Sequence, residues 1–129
     1  MPSHKRSILI VDADAFLAGV YARRFESGRW SVRVADSAAE AEKLVAKKVP
    51  DAAILDPDTV RGAEALMKKW ERTPATAGIV SVVLTNIGDR ASIDRALAAG
   101  ADGYFLKGHF VPSEVKEKME RLVADASAE

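Results

Sequence analysis

The chain has 129 residues, 48% of them apolar, with no cysteine and 19 basic side chains against 19 acidic ones. That length suits one domain over residues 1–129, with a core spanning about 5–123. Balanced charge leaves no basic excess to displace counterions from nucleic acid, and the lack of Cys excludes disulfide scaffolds, thiolate zinc sites and Cys nucleophiles. The longest apolar run, 79–84, is interrupted by Ser81 and is far too short for a membrane span, and no apolar stretch follows Lys5 and Arg6 as a secretory signal would require. These features predict a cytoplasmic protein with no direct nucleic-acid or membrane partner.

Apolar runs and helical patterns alternate five times. Ser7–Val11 (SILIV) reads as a strand buried on both faces. Leu17, Val20, Tyr21 and Phe25 then fall at helical spacing, with Gly28 as a stop. Ser31–Val34 alternates polar and apolar, as a strand near a sheet edge should. Ser37-Ala-Ala-Glu40 is a capping box opening a helix with Ala41, Leu44 and Val45 on one face, and Pro50 breaks the chain before the strand Ala52–Leu55. Ala63, Leu66, Met67 and Trp70 mark a third helix, closed by Thr73-Pro74. Ile79–Leu84 is the strongest strand signal and ends at Thr85. Asp89 reads as the N-cap of a helix carrying Ile93, Ala96 and Leu97, with Gly100 as its stop. Gly103–Leu106 is a fifth strand, and Ser113 caps a last helix with Val115, Met119 and Leu122 inward and a frayed end from Ala124.

Five β-α units with short connections predict an α/β fold: a parallel sheet with helices on both faces, a three-layer sandwich. A closed eight-stranded barrel needs about 250 residues and is excluded by length. In an open sheet of this kind the chemistry lies beyond the carboxyl ends of the strands. The residues there are Asp12 and Asp14, Asp56 and Asp58, Thr85, and Lys107. Carboxylates without His or Cys partners favour a hard cation with oxygen ligands, so Mg²⁺ is the natural cofactor. A carboxylate beside such a cation can attack a phosphoryl group while a hydroxyl and an ammonium stabilise the transferred oxygens.

ILIVDAD (Ile8–Asp14), AAILD (Ala52–Asp56), VVLT (Val82–Thr85) and AAGADGYFLK (Ala98–Lys107), in this order and at these separations, carry a specific signal. On these segments the chain resembles the receiver domain of two-component response regulators over about residues 5–123. The resemblance implies a flavodoxin-like fold with five parallel strands in the order 2-1-3-4-5, the order of the chemotaxis regulator that is a standard example of it. It implies that Asp56 is the phosphoacceptor, that Asp12, Asp56 and the backbone carbonyl of Asp58 hold Mg²⁺, and that Thr85 and Lys107 contact the phosphoryl group. Thr85 and Tyr104 become the switch residues. A histidine kinase or phosphotransfer protein becomes the donor. A downstream protein partner would meet the face built from the fourth helix, fifth strand and fifth helix, for which Arg95, Tyr104 and Lys116 form the candidate patch. With no output domain in view, the effect is expected to pass through protein contacts.

The resemblance is incomplete near the site. Ala13 stands where the family has the second acidic residue of its metal-binding pair, Gly108 follows the lysine in place of the usual Pro, and Pro57–Gly62 lacks the usual Pro-Gly element. Asn86 is bulkier than the usual small residue, and Asp58 adds negative charge beside the acceptor. Weakened Mg²⁺-dependent phosphorylation is the expected result. The competing reading is a phosphorylation-independent pseudo-receiver acting as a protein-interaction module, with Ala13 as its main support. A third, enzymatic reading takes Asp56-Pro-Asp58-Thr-Val60 as similar to the nucleophile motif of haloacid-dehalogenase-like phosphatases, but only Asp125 follows Lys107 where those enzymes need an acidic pair.

Bland roles compete for several of these residues. Asp14 before a helical run reads as its N-cap rather than a substitute ligand. Tyr104 could be a fixed packing residue. His4 and His109 lack ligand spacing and are assigned no role, and Trp30 and Trp70 read as packing residues at helix ends.

Overall fold

The computed structural model describes residues 5–127. Ten elements alternate in chain order: β1 (Ser7–Val11), α1 (Ala15–Ser27), β2 (Ser31–Ala35), α2 (Ala38–Lys47), β3 (Ala52–Leu55), α3 (Ala63–Arg72), β4 (Val80–Thr85), α4 (Arg90–Ala98), β5 (Gly103–Leu106) and α5 (Pro112–Ser127). The strands form one parallel sheet, as the sequence pattern predicts, in the order β2-β1-β3-β4-β5 that the resemblance implies. β1, β3 and β4 are buried along their whole length, whereas the alternating β2 and the short β5 are partly exposed edges.

Alternation along the strands divides the core in two, because successive side chains leave opposite faces of a sheet. Ile8, Ile10, Ile54, Val82 and Leu84 meet Phe25 of α1 and Val115 and Met119 of α5 on one face. Leu9, Val11, Leu55 and Val83 meet Val45 of α2 and Leu66 and Met67 of α3 on the other. At the amino ends of the strands two Asp–Ser braces tie neighbours together. Asp51 donates its N–H to the Ser7 carbonyl (3.0 Å) and accepts the Ser7 N–H on Oδ2 (2.8 Å). Asp102 does the same with Ser81, at 2.7 and 2.9 Å.

Several local expectations need correction. β4 starts at Val80, one residue late, and β2 runs one residue further to Ala35. Leu97, one of the apolar residues that mark α4, is 53% exposed; the buried positions of this turn are Ala96 and Ala99, because α4 lies on the sheet through small residues. α5 opens at Pro112 rather than being capped by Ser113: Pro fits the first helical position, and Glu114 Oε1 accepts the Val111 N–H at 3.0 Å. Val123 takes the buried place expected of Leu122, which is only partly covered, and the helix continues through Ala124 to Ser127. Gly28 does cap α1, but with negative φ; the left-handed residue is Arg29, at φ 71°. What Gly28 provides is room, since a Cβ there would lie 2.9 Å from Lys116 Cδ. Trp30 and Trp70 are buried as expected, whereas His4 lies outside the described residues.

Candidate functional site

Register brings the chemistry together. Val11 pairs with Leu55, so the residues that follow them, Asp12 and Asp56, emerge side by side from β1 and β3. Thr85 pairs with Leu106, which sets Lys107 one step beyond Thr85 on the adjacent edge strand, with the Lys107 N–H on the Thr85 carbonyl at 2.8 Å. Asp12, Asp56 and Thr85 are all buried, Asp56 to 1% exposure.

Lys107 Nζ joins the two carboxylates, at 2.7 Å from Asp56 Oδ2 and 2.9 Å from Asp12 Oδ2. Burial by itself would lower the Lys107 ammonium, but its hydrogen bonds to Asp56 and Asp12 and the two carboxylate charges outweigh that and hold it above its ordinary 10.5. The other oxygens are also engaged: Asp56 Oδ1 accepts the Asp58 N–H (2.9 Å), and Asp12 Oδ1 accepts the Asp14 N–H (2.8 Å). No buried side-chain N or O lacks a partner among the described residues.

The remaining predicted residues surround this triad. Asp14 is the N-cap of α1, its Oδ1 accepting the Leu17 N–H at 3.1 Å, so capping and not substitution for a ligand is what its geometry serves. Ala13 is exposed and contributes no side-chain oxygen. Asp58 and Asn86 are exposed loop residues. Thr85 Oγ1 accepts the Ile87 N–H at 3.4 Å, and the Tyr104 hydroxyl donates to the Ile87 carbonyl. Tyr104 is shifted up, first by burial and then by the charges of Asp89, Asp56 and Glu64. Thr85, Tyr104, Pro57, Asp58, Glu64 and Arg95 line a cleft of about 270 Å³ beside the triad. A larger hollow of about 510 Å³ lies at the opposite rim between Arg6, Glu26, Arg29 and Glu120, away from the triad. The peptide after Lys107 is trans, with Gly108 following.

Lys116 does not belong with Arg95 and Tyr104. Its ammonium pairs with Glu120 Oε1 at 3.3 Å, beside the Trp30 indole and against Gly28, on the α1 side of α5. Lys118 and Arg121 instead border β5, beside Gly103 and Phe105.

One site residue has no signature in the sequence. Thr59 donates its hydroxyl to Asp12 Oδ1 at 3.0 Å and accepts the Ala13 N–H at 3.1 Å. Its place within the Asp56-Pro-Asp58-Thr-Val60 segment assigns it no role, and the missing oxygen at Ala13 is the only hint that another group could stand there.

Two carboxylates and a nearby carbonyl suit Mg²⁺, which keeps several waters and takes one or two protein carboxylates alongside substrate phosphates. Among the described residues no three His, Cys, Asp or Glu side chains converge on a common point, so the fit rests on that sparse donor set.

The sequence matches the family described as response regulator receiver domain over residues 8–120. A parallel sheet with this strand order and an Asp–Asp–Lys cluster at the carboxyl ends defines a receiver, and the chain belongs to the response regulator receiver domain family. Similar solved structures agree. A response regulator from Chloroflexus aurantiacus is 29% identical, with 94% of this chain and 99% of that one covered at a TM-score of 0.85. A CheY-like receiver domain protein from Methanospirillum hungatei is 22% identical (97% and 98% covered, TM-score 0.87), and the chemotaxis response regulator CheY4 of Vibrio cholerae is 19% identical (92% and 99% covered, TM-score 0.83). No curated protein sequence matches the chain. Among the described residues no helix is long and apolar enough to cross a membrane.

Proposed function

We propose that Asp56 accepts a phosphoryl group from a phosphohistidine of a histidine kinase or phosphotransfer protein. The observation that carries this is the buried Asp56 carboxylate held at 2.7 Å by a Lys107 ammonium that a phosphoryl oxygen can recruit. A carboxylate oxygen of Asp56 attacks phosphorus while the bond from phosphorus to the imidazole nitrogen breaks, its electron pair leaving with the imidazole. Lys107 exchanges its bond to Asp56 for one to the transferred group. Thr85, at the end of the neighbouring β4, offers its hydroxyl to another phosphoryl oxygen. Receiver domains typically bind Mg²⁺ at the acidic site; here Asp12, Asp56 and the Asp58 carbonyl would hold it, where a dication neutralises the oxygens in transfer.

Transmission uses Tyr104, whose hydroxyl already grips the β4–α4 connection at Ile87. A shift of that connection moves Tyr104 and with it the α4–β5–α5 face, where Arg95, Tyr104, Lys118 and Arg121 are the residues offered to a protein partner. The second reading, a phosphorylation-independent interaction module on the same face, is favoured by Ala13 and by Lys107 already satisfying both carboxylates.

Intact-mass measurement after treatment with acetyl phosphate and Mg²⁺ separates the two. Phosphotransfer gives one added phosphoryl group, lost in Asp56→Asn and kept in Asp58→Asn, whose lost charge eases approach of the donor. No gain in the native chain, or an unchanged gain in Asp56→Asn, overturns the assignment.

A further inference from the structure

Ala13 removes a side-chain oxygen from the acidic site, and the structure puts another within reach of the gap. Thr59 lies on the β3–α3 connection, immediately after Asp58, the residue whose carbonyl is the third proposed ligand. Its position is fixed. The Thr59 N–H bonds the Asp56 carbonyl at 3.2 Å, and the next residue, Val60, bonds the same carbonyl at 2.9 Å while its side chain is buried in the core.

A hydroxyl has one proton and two lone pairs. That of Thr59 gives its proton to Asp12 Oδ1 (3.0 Å) and takes the Ala13 N–H on one lone pair (3.1 Å). One lone pair remains, on a solvent-exposed residue at the mouth of the site. Lys107 occupies the Oδ2 atoms of both carboxylates, so a hard cation meets the Oδ1 atoms and competes there with the donors they already hold: the Asp58 N–H on Asp56, and the Asp14 N–H and the Thr59 hydroxyl on Asp12.

We infer that Thr59 takes over the part of the missing second carboxylate: it orients Asp12 and supplies a neutral oxygen to the divalent cation. The inference rests on the phosphotransfer reading only in taking that cation as Mg²⁺. A hydroxyl serves Mg²⁺ well in phosphate-handling sites, and a neutral one adds no repulsion to a rim where Asp12 and Asp56 already share a single lysine.

The test is a titration of the isotope-labelled full chain with MgCl₂, following the amides of Ala13, Asp14 and Asp58. The native chain should show a saturable shift. Thr59→Val should weaken the affinity about tenfold or more, the scale of losing an oxygen that orients a ligand, while Thr59→Ser restores it. In an Ala13→Asp background Thr59→Val should change little, because the new carboxylate supplies the oxygen. Equal affinity of the native chain and Thr59→Val, a native chain without saturable shifts, failure of Ser to restore binding, or the same loss in both backgrounds overturns the inference. Phosphoryl labelling of the same samples distinguishes the two claims. Thr59-dependent binding without labelling of Asp56 removes the phosphotransfer reading and keeps this one, and labelling with Thr59-indifferent binding does the reverse.

Discussion

Lys107→Met isolates what the ammonium does for the fold. Its side chain is 5% exposed and lies within 3 Å of one oxygen of each carboxylate, on Asp12 (7% exposed) and Asp56 (1%). Methionine fills much the same volume but leaves two buried carboxylates facing each other without their shared cation. Removing one partner of a buried ion pair costs about 3–5 kcal/mol, and because this cluster stands at the rim, where water can reach it, the lower end applies, about 3 kcal/mol. For a chain of this size that is a fall in melting temperature of roughly 10–15 °C at pH 7. The pH dependence carries a sign. The native Lys107 is held above its ordinary value, so its contribution is complete below about 10.5 and is lost only as pH rises through the higher folded value. Adding Asp56→Asn should recover part of the loss, because it leaves one buried carboxylate where two faced each other. Thermal melts of the three proteins at pH 7 read this directly. A single variant melting within about 2 °C of the native chain at pH 7 would mean that water, not lysine, neutralises the pair, and the reasoning fails.

Three further outcomes are expected. Ala13→Asp should tighten Mg²⁺ binding by about tenfold, as measured by calorimetry, and should lower the melting temperature without Mg²⁺ by adding a carboxylate to the rim. Asp102 is raised above its ordinary value of 3.8, first by burial and also by the charge of Glu71, although the Ser81 N–H opposes this, so its contribution is best below 3.8 and falls as pH rises through the folded value. Asp102→Asn keeps an acceptor for Ser81 and should therefore gain stability relative to the native chain between pH 3 and pH 7; a constant gap across that range would count against it. Gly100 has φ 98° and a Cβ there would meet the Glu71 carboxylate at 2.5 Å, so Gly100→Ala should cost about 1–2 kcal/mol in urea denaturation, with no loss pointing to a relaxed turn.

The sheet and the triad are legible in the sequence because both rest on rules that act along the chain. Short apolar runs suit buried strands, and an Asp or Lys directly after one stands at its carboxyl end, so the order of residues alone groups Asp12, Asp56, Thr85 and Lys107 on one rim. The strand order follows from the resemblance rather than from periodicity. What depends on rotation about a helix axis is less legible. Leu97 and Ala99 both fit an inward stripe on α4, and only the close approach of that helix to the sheet favours the smaller residue. Lys116 lies on the other side of α5 from the expected patch because spacing does not reveal that Gly28 opens a slot for it on α1. Thr59 is hidden for another reason: its role is a contact between two loops 47 residues apart, with no local pattern to announce it.

The Asp51–Ser7 and Asp102–Ser81 braces both lie at the amino ends of the strands, opposite the acidic cluster. One end of the sheet is thereby riveted across β1–β3 and β4–β5, while the other spends its polar groups on the cluster that the proposed phosphotransfer would rearrange. Tolerance to substitution should be polarised accordingly. Removing a rivet's acceptor outright, as in Asp51→Ala or Asp102→Ala, should thin the population of folded protein without touching chemistry in the molecules that remain, and replacing Asp56 or Thr85, which leaves the Lys107–Asp12 pair in place, should silence molecules that still fold. A library screened separately for abundance and for signalling would then sort into two spatial halves, divided across the middle of the strands.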